Sequence, residues 1–327
     1  MLVAGSIAAT RRQYAELLAE ARSRTLLLVS TLTAEQMARE PGAGSASILA
    51  QLQGITAYES RLLLEETPDV SGLSSYDAWF DWMMDLRERV LQRLDEADLS
   101  ESAGLTEQYQ KVLQREYHTD ETILETIQLL GDPYDPPGRR ELPRGRRLAD
   151  PGFMTRFPGG KVEIGDSIHS VSPFWIDVLP VTNGDYLTFM AAGGYTDREV
   201  WSEQGWEWLE SSQAKMPEYW SWEDGVWWSR CLLQETPLDL TRPVIHVSCY
   251  EAEAFARFVG KRLPSEHEWE AAAGWDPETQ SRRLYPWGNM APTPHVANLD
   301  QLAFAPAPVG AFPGNLSPIG CYGMIGD

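Results

Sequence analysis

The strongest structural constraint in the sequence is a pair of short, clearly bounded helices predicted between residues 241 and 288. Two serines are each followed three residues later by a glutamate, which is the spacing of a capping box: Ser248 with Glu251, and Ser265 with Glu268. Gly260 and Gly274 follow at positions where a helix-ending glycine is preferred. The first helix places Phe255 and Phe258 on one face. The pattern therefore predicts two amphipathic helices on a small domain.

Length and charge bound the class of protein. The chain has 327 residues, enough for about two domains of typical size. Hydrophobic residues make up 43% of it, so a core can form. The formal net charge is −21, whereas nucleic acids and anionic membranes are bound by clustered Lys and Arg. We therefore expect no nucleic-acid or membrane partner and attribute the acidity to solubility.

The cysteines indicate a reducing compartment. Cys231, Cys249 and Cys321 are far apart, odd in number and outside any C-x-x-C pair. Reduced thiols therefore fit better than a disulfide framework. The apolar run at the N-terminus is too short for a membrane span and lacks the preceding basic region of a signal peptide. These features predict a cytoplasmic protein.

The first part of the chain is predicted to be helical. Residues 11–131 show apolar spacing typical of four long amphipathic helices with polar connections, which predicts a bundle. Thr33 with Gln36 predicts the capped start of a short additional helix. Residues 133–152 are rich in proline and arginine and cannot form a regular helix, so they mark a domain boundary. The five arginines between 139 and 147 are interpreted as a solvated linker, the alternative being a phosphate site.

After residue 152 the composition changes, because short strand-like runs alternate with Gly, Pro and Asn. The predicted organisation is a helical domain at 1–132, a linker at 133–152 and an α+β domain at 153–327. Seven tryptophans crowd the second domain: Trp201, Trp206, Trp208, Trp220, Trp222, Trp227 and Trp228. Tryptophan buries a large area and must satisfy one N–H group. We interpret these residues as core plugs, the alternative being the wall of a binding groove.

Several strings occur in the order found in one family: VWSEQGWEWL, PEYWSW, RPVIHVSCYEAEAFARFVGKRLPSEHEWEAAAG, YPWGN and the closing ANLDQLAFAPAPVGAFPGNLSPIGCYGMIGD. Over nearly its whole length the chain resembles the EgtB-type enzymes of ergothioneine biosynthesis. The resemblance implies a fold of class α+β, an N-terminal DinB-like four-helix bundle followed by a C-type-lectin-like (sulfatase-modifying-factor, formylglycine-generating-enzyme-like) domain. Family members continue past the closing G-D with V-W-E-W and further strands.

The given sequence stops at this G-D, so the resemblance implies that its second domain is incomplete. A domain without its closing strands leaves unpaired edges and exposed apolar surface. The sequence leaves three interpretations open, namely a truncated product, a domain completed by a C-terminal chain from a partner, and a domain of low stability.

The resemblance also implies chemistry. EgtB-type enzymes are iron(II)-dependent oxidoreductases that use O₂ to join a thiol, cysteine or γ-glutamylcysteine, to trimethylhistidine as a sulfoxide. Three histidines of the bundle hold Fe(II), one in a helix of the form L-A-H-x-x-x-x-E and two in a helix of the form H-E-x-x-H-D-E-T. Here the matching segments read LQGITAYE at 52–59 and REYHTDET at 115–122. The three histidine positions are thus occupied by Gly54, Arg115 and Thr119.

These replacements predict the loss of the metal. Imidazole nitrogen suits first-row metals, whereas glycine has no side chain, arginine is a permanent cation without a free lone pair, and threonine is a weak neutral ligand. We therefore predict no metal, no cofactor and no catalytic residue for this chain, with the pocket retained and the metal replaced by a guanidinium. A weak alternative metal site would use His118 and Glu121. The simpler interpretation of His118 is a surface or inter-helix histidine.

Two arginines and the remaining histidines are weaker candidates for site residues. By the resemblance, Arg87 and Arg89 would bind the carboxylates of a thiol substrate, and guanidinium forks suit that task. The alternative is a solvated helix face. The remaining histidines do not form a ligand-spaced pair along the sequence, with His246 expected in a core strand and His267 exposed.

The sequence leaves three candidate functions for this protein. The first is a degenerate EgtB-like protein, a pseudoenzyme with a binding or regulatory role, whose ligand would be a small-molecule thiol or betaine. The second is an active sulfoxide synthase with a rearranged site, a complementing C-terminal chain or a homo-oligomer. The third is a formylglycine-generating-type copper oxidase, which requires a late cysteine pair that Cys249 and Cys321 fit poorly.

Overall fold

The computed structural model describes residues 2–42, 44–70, 72–97, 99, 103–132, 134–232, 234–299 and 303–326. The chain divides into two compact units. The helical unit comprises Met1–Pro137 with Leu232–Gln234, and the mixed unit comprises Gly138–Cys231 with Glu235–Asp327. The predicted α+β class is therefore confirmed. Among the described residues, no helix combines the length and apolar character that crossing a bilayer requires.

The helical unit contains the predicted bundle of four long helices and one short one. Their bounds are α1 Leu2–Val29, α2 Ala34–Ala38, α3 Ile48–Glu59, α4 Tyr76–Glu96 and α5 Ala103–Leu130. Serine side chains cap α3 and α4 by accepting backbone N–H groups, and Thr33 with Gln36 forms the predicted capping box of α2. The local sequence thus sets where these helices begin.

The core of the bundle is apolar but includes anchored polar groups. Trp79 of α4 is fully buried, and its Nε1 donates to the Leu52 carbonyl at 3.1 Å and to Thr56 Oγ1 at 3.0 Å. These bonds satisfy the single donor of a large core residue. They also fix α4 against α3.

A π-helical turn, Ser60–Leu64, continues α3 and ends at Glu65 in the left-handed conformation, with φ 60°. Such turns are rare and frequently lie at functional sites. This one directly follows Glu59, a fully buried carboxylate.

The mixed unit consists of small sheets and short helices. Its strands are β1 Met154–Phe157, β2 Gly160–Ile164, β3 Ser167–Val171, β4 Phe174–Asp177, β5 Trp220–Glu223, β6 Val226–Cys231, β7 Gln234–Pro237, β8 Trp275–Asp276 and β9 Ser281–Arg282. They pair as β1–β4, β2–β3, β5–β6–β7 and β8–β9. The helices are α6 Asn183–Ala191, a 3₁₀ turn Arg198–Val200, α7 Glu203–Ser212, α8 Cys249–Phe258 and α9 Glu266–Gly274.

Both predicted capping boxes are confirmed at the starts of α8 and α9. Gly260 follows α8 with φ 73°, a conformation that glycine adopts without strain. Helix α9 ends at Gly274, as predicted, and Trp275 caps it.

The tryptophans of the mixed unit divide between the two roles that the sequence left open. Trp201 and Trp220 are buried in a core with Tyr186, Phe189 and other apolar residues. Others are half-buried or exposed, and two of them line a cavity described below. Crowding alone therefore did not identify which tryptophans fill the core.

Candidate functional site

A cluster of two arginines and two glutamates lies inside the helical unit. Each long helix supplies one member, namely Arg22 from α1, Glu59 from α3, Arg87 from α4 and Glu116 from α5. Their exposed fractions are 5%, 0%, 9% and 1% respectively. We call these four residues the ion cluster. Lys, Glu and Arg are almost never fully buried unless they are paired, so the cluster is an unusual feature of a bundle core.

Each guanidinium of the ion cluster contacts both carboxylates. Arg22 Nη2 lies 3.1 Å from Glu59 Oε2, and Arg22 Nε donates to Glu116 Oε1. Arg87 Nε lies 3.0 Å from Glu59 Oε1, and Arg87 Nη2 lies 3.4 Å from Glu116 Oε2. The planar fork of arginine suits such shared contacts. The cluster therefore connects all four long helices through charge-assisted interactions.

Burial and pairing oppose each other in the ion cluster. Burial raises the pKa of Glu59, although the charges of Arg87 and Arg22 oppose the rise. Burial lowers the pKa of Arg87. Burial also acts to lower the pKa of Arg22, but the charges of Glu116 and Glu59 outweigh it and the pKa is raised. Removing one member would therefore leave its partners buried without compensation.

Asp120 is a further buried carboxyl, one helical turn after Glu116 on α5. Its side chain is 1% exposed, and neither carboxyl oxygen has a hydrogen-bond partner within the described part of the chain. Burial is the main cause that raises its pKa to about 7. The pKa of Asp120 is therefore close to neutral pH.

The three positions at which the resemblance places iron-binding histidines, Gly54, Arg115 and Thr119, have separate environments. An ideal Cβ at Gly54 would meet no atom within 4 Å. Arg115 is exposed. Thr119 is buried, and its Oγ1 donates to the Arg115 carbonyl of the preceding turn at 2.8 Å. The Thr119 hydroxyl is thus already engaged with its own helix.

The prediction that a guanidinium replaces the metal is corrected in one respect. Arg115 does not enter the interior, because its side chain is exposed. The buried guanidiniums belong to Arg22 and Arg87, neither of which occupies a ligand position. The sequence pattern of α5 alone cannot identify them, since they come from α1 and α4.

The weak alternative metal ligands lie on the outer face of α5. His118 Nδ1 is 3.8 Å from Glu121 Oε2, and their side chains are 66% and 76% exposed. Within the described ranges, no group of three or more His, Cys, Asp or Glu side chains is arranged to hold a metal ion.

The two arginines that the resemblance assigns to substrate binding, Arg87 and Arg89, lie in different environments. Arg87 belongs to the ion cluster, so the solvated-face interpretation is wrong for it. Arg89 is partly exposed, and its Nη1 lies 2.7 Å from Glu66 Oε1. Two residues apart on α4, they point away from each other, as the 100° step of a helix requires.

The environments of the histidines of the mixed unit were only partly predicted from the sequence. His169 of β3 stacks on His267 of α9, with ring centroids 4.1 Å apart, a pairing that their separation along the chain conceals. His267 is exposed as predicted, whereas His246 is exposed rather than in the core. All three cysteines are free thiols, and burial raises the pKa of the Cys321 thiol to about 11.

Arg22 was not predicted as a site residue from the sequence. The residue follows Leu18 by four positions, so it continues the stripe of apolar residues that faces the bundle interior. A charge within an apolar stripe is the signal that could have revealed it. Its partners, 37 and 94 residues away, could not be inferred from spacing.

Comparisons with known proteins fit this architecture. Residues 141–327 match the sulfatase-modifying factor enzyme 1-like domain family. A hercynine oxygenase of Mycolicibacterium thermoresistibile is 38% identical over 258 residues, covering 74% of this chain and 56% of the relative. That of Mycobacterium tuberculosis is 44% identical over 157 residues, covering 48% and 36%. That of Mycolicibacterium smegmatis is 32% identical over 357 residues, covering 97% and 82%.

The domain match and the near full-length relative define the class, a helical unit joined to a sulfatase-modifying-factor domain. The chain belongs to the EgtB-type family, whose members include these hercynine oxygenases. The match spans less than two thirds of the first two relatives.

Proposed function

We propose that this protein is a degenerate EgtB-type family member that does not bind Fe(II) at the three-histidine position and does not oxidise hercynine. Its role would be binding or regulatory, in the cytoplasm, with a small-molecule thiol or betaine as ligand. The observation that carries this proposal is the set of side chains at the ligand positions, Gly54, Arg115 and Thr119.

The donor chemistry of these positions does not fit ferrous ion. Gly54 offers no donor, and Arg115 is a permanent cation that faces solvent. The Thr119 hydroxyl donates to a backbone carbonyl. No imidazole, thiolate or carboxylate thus stands at any of the three positions, although these are the ligands that bind first-row metals.

The ion cluster supports the same conclusion from charge. Its two guanidiniums already balance the two carboxylates, Glu59 and Glu116, that belong to the family's helix motifs. A divalent cation placed beside them would find both carboxylates already paired with buried guanidiniums, so it could bind them only by displacing an arginine. The interior is therefore stabilised by its own cations.

The second candidate is an active sulfoxide synthase with a rearranged site. The hercynine oxygenases at 32–44% identity favour it, because they belong to the same family. Such a site would have to recruit His118 and Glu121. These residues lie on the exposed face of α5, so recruitment would require the helix to rotate.

An oxygen-uptake assay separates the two candidates. The purified protein is mixed anaerobically with Fe(II), hercynine and either cysteine or γ-glutamylcysteine, and O₂ is then admitted. We expect uptake equal to that of a protein-free control, because no iron is held next to substrate. The Mycolicibacterium thermoresistibile hercynine oxygenase serves as a parallel sample. Substrate-dependent uptake with formation of a sulfoxide product would show that the protein is an active enzyme.

A further inference from the structure

A cavity of about 640 Å³ opens in the mixed unit. Its walls come from α6, the turn after α6, α7, the segment that follows α7, and β6. The apolar lining is supplied by Leu187, Met190, Tyr195, Trp206, Leu209 and Trp227. We call this space the tryptophan cavity. Its volume falls within the range of small-molecule sites, which are mostly apolar with a few polar groups that orient the ligand.

The hydroxyl groups in the lining already donate to partners inside the fold. The Tyr195 hydroxyl donates to Glu251 Oε1, and Thr196 Oγ1 donates to the Gly193 carbonyl at 2.9 Å. A hydroxyl has one proton to donate, so neither of them can donate to a ligand without losing its present partner. The strongest remaining polar groups of the lining are therefore its charged side chains.

Two charged side chains of opposite sign, Glu210 and Lys215, line the tryptophan cavity. Both are exposed, and in the described part of the chain neither takes part in an ion pair. Glu210 Oε1 accepts the Trp206 indole N–H at 2.9 Å, so the carboxylate is held beside that ring. The other acids of α7, Glu203 and Glu207, do not line the cavity. The lining thus carries one positive and one negative charge that are separate from each other.

The end of α7 explains why these two charges do not pair. Helix α7 ends at Ser212, and the next residue, Gln213, adopts the left-handed conformation with φ 55°. Gln213 Nε2 donates to the Glu210 carbonyl at 2.7 Å, which holds this turn against the helix. Lys215 lies beyond the turn, whereas charges that pair on one helix are three or four residues apart. The fold therefore presents both charges to the same cavity.

A ligand with a single charge gains little from this lining. A cation beside Glu210 would be repelled by Lys215, and an anion beside Lys215 would be repelled by Glu210. The Trp206 ring does not favour a cation either, because the Arg198 guanidinium already lies over it, with Cζ 5.5 Å from the ring centroid. A ligand that carries both charges can pair with both side chains.

We propose that the tryptophan cavity binds a zwitterion with an apolar side group, which is the chemistry of an apolar α-amino acid. The side group lies against the apolar lining, the ammonium group beside Glu210 and the carboxylate beside Lys215. This inference rests on the proposed binding role and names a ligand class for it. Because the cavity shares no residue with the ion cluster or with the Gly54, Arg115 and Thr119 positions, its test is separate from that of iron binding.

Three probes with the same phenyl group and different charges test the proposal. They are L-phenylalanine, 2-phenylethylammonium, which lacks the carboxylate, and 3-phenylpropionate, which lacks the ammonium group. Each is titrated into the full chain by calorimetry at low salt. We expect saturable binding of L-phenylalanine, with each singly charged probe bound about 2- to 5-fold more weakly, the range that one exposed ion pair provides.

Two variants should change the order of the probes in opposite directions. Glu210→Gln removes the partner of the ammonium group, so it should weaken L-phenylalanine and strengthen 3-phenylpropionate. Lys215→Gln removes the partner of the carboxylate, so it should weaken L-phenylalanine and strengthen 2-phenylethylammonium. Glu207→Gln is the matched control, because Glu207 is an exposed acid of α7 that does not line the cavity, and the order of the probes should stay as in the natural protein.

Any of three results would overturn the proposal: no saturable binding of L-phenylalanine, a singly charged probe that binds at least as tightly, or an order of probes that neither Glu210→Gln nor Lys215→Gln changes. Both variants alter exposed side chains outside the core, so they test the site in a folded protein.

Discussion

Replacing Arg22 with methionine is expected to destabilise the helical unit by about 3–5 kcal/mol, the range found when one partner of a buried ion pair is removed. Glu59 and Glu116 would remain buried in a bundle core with one cation between them. The free energy of unfolding is measured by urea titration. Hydrogen exchange of α1 and α5 peptides is followed in parallel, because two compact units need not unfold together.

Arg89→Met is the matched control, because Arg89 pairs with Glu66 at the surface and exposed pairs contribute at most about 1 kcal/mol. The combined change Arg22→Met with Glu116→Gln removes one charge of each sign and should recover part of the loss. Equal stability of the Arg22→Met and Arg89→Met variants would show that the ion cluster does not support the fold.

Stability is expected to fall as pH rises from about 4 to about 7, because of Asp120. Its pKa is raised from 3.8 to about 7 in the folded protein, mainly by burial. Between those values the folded state binds more protons than the unfolded state, so the free energy of unfolding decreases with pH. The difference between these two pKa values corresponds to roughly 4 kcal/mol in the free energy of unfolding, which is present below pH 4 and lost above pH 7.

The Asp120→Asn variant isolates this contribution. It should remove the pH-dependent loss and be more stable than the natural protein at pH 8, as measured by urea titration at pH 5 and pH 8. Glu121→Gln, one residue further along α5 and exposed, is the control for an unspecific change of charge. An unchanged pH slope in Asp120→Asn would contradict the assignment of Asp120 as a neutral acid at low pH.

Sequence reasoning succeeded where the controlling interaction is local. The capping boxes of α8 and α9 depend on side chains three residues apart, and both form as predicted. The bundle followed from helical periodicity, which is visible in one dimension. The end of α9 at Gly274 was likewise predicted from a local glycine signal.

The site itself required the tertiary structure. Arg22 meets Glu116 across 94 residues, and no spacing rule predicts such a contact. Likewise, Arg87 and Arg89 look equivalent in sequence, yet Arg87 is buried and Arg89 is partly exposed. The stacking of His169 on His267 joins β3 to α9. Each of these pairings depends on how elements distant along the chain pack together.

The central claim, that no ferrous ion binds at the Gly54, Arg115 and Thr119 positions, is tested most directly by anaerobic calorimetry of Fe(II) with chelator-treated protein. His118→Ala is titrated alongside to detect a rearranged site. We predict no saturable binding in either sample. One equivalent of Fe(II) bound tightly by the natural protein would contradict the account, and its loss in His118→Ala would place the metal on the outer face of α5.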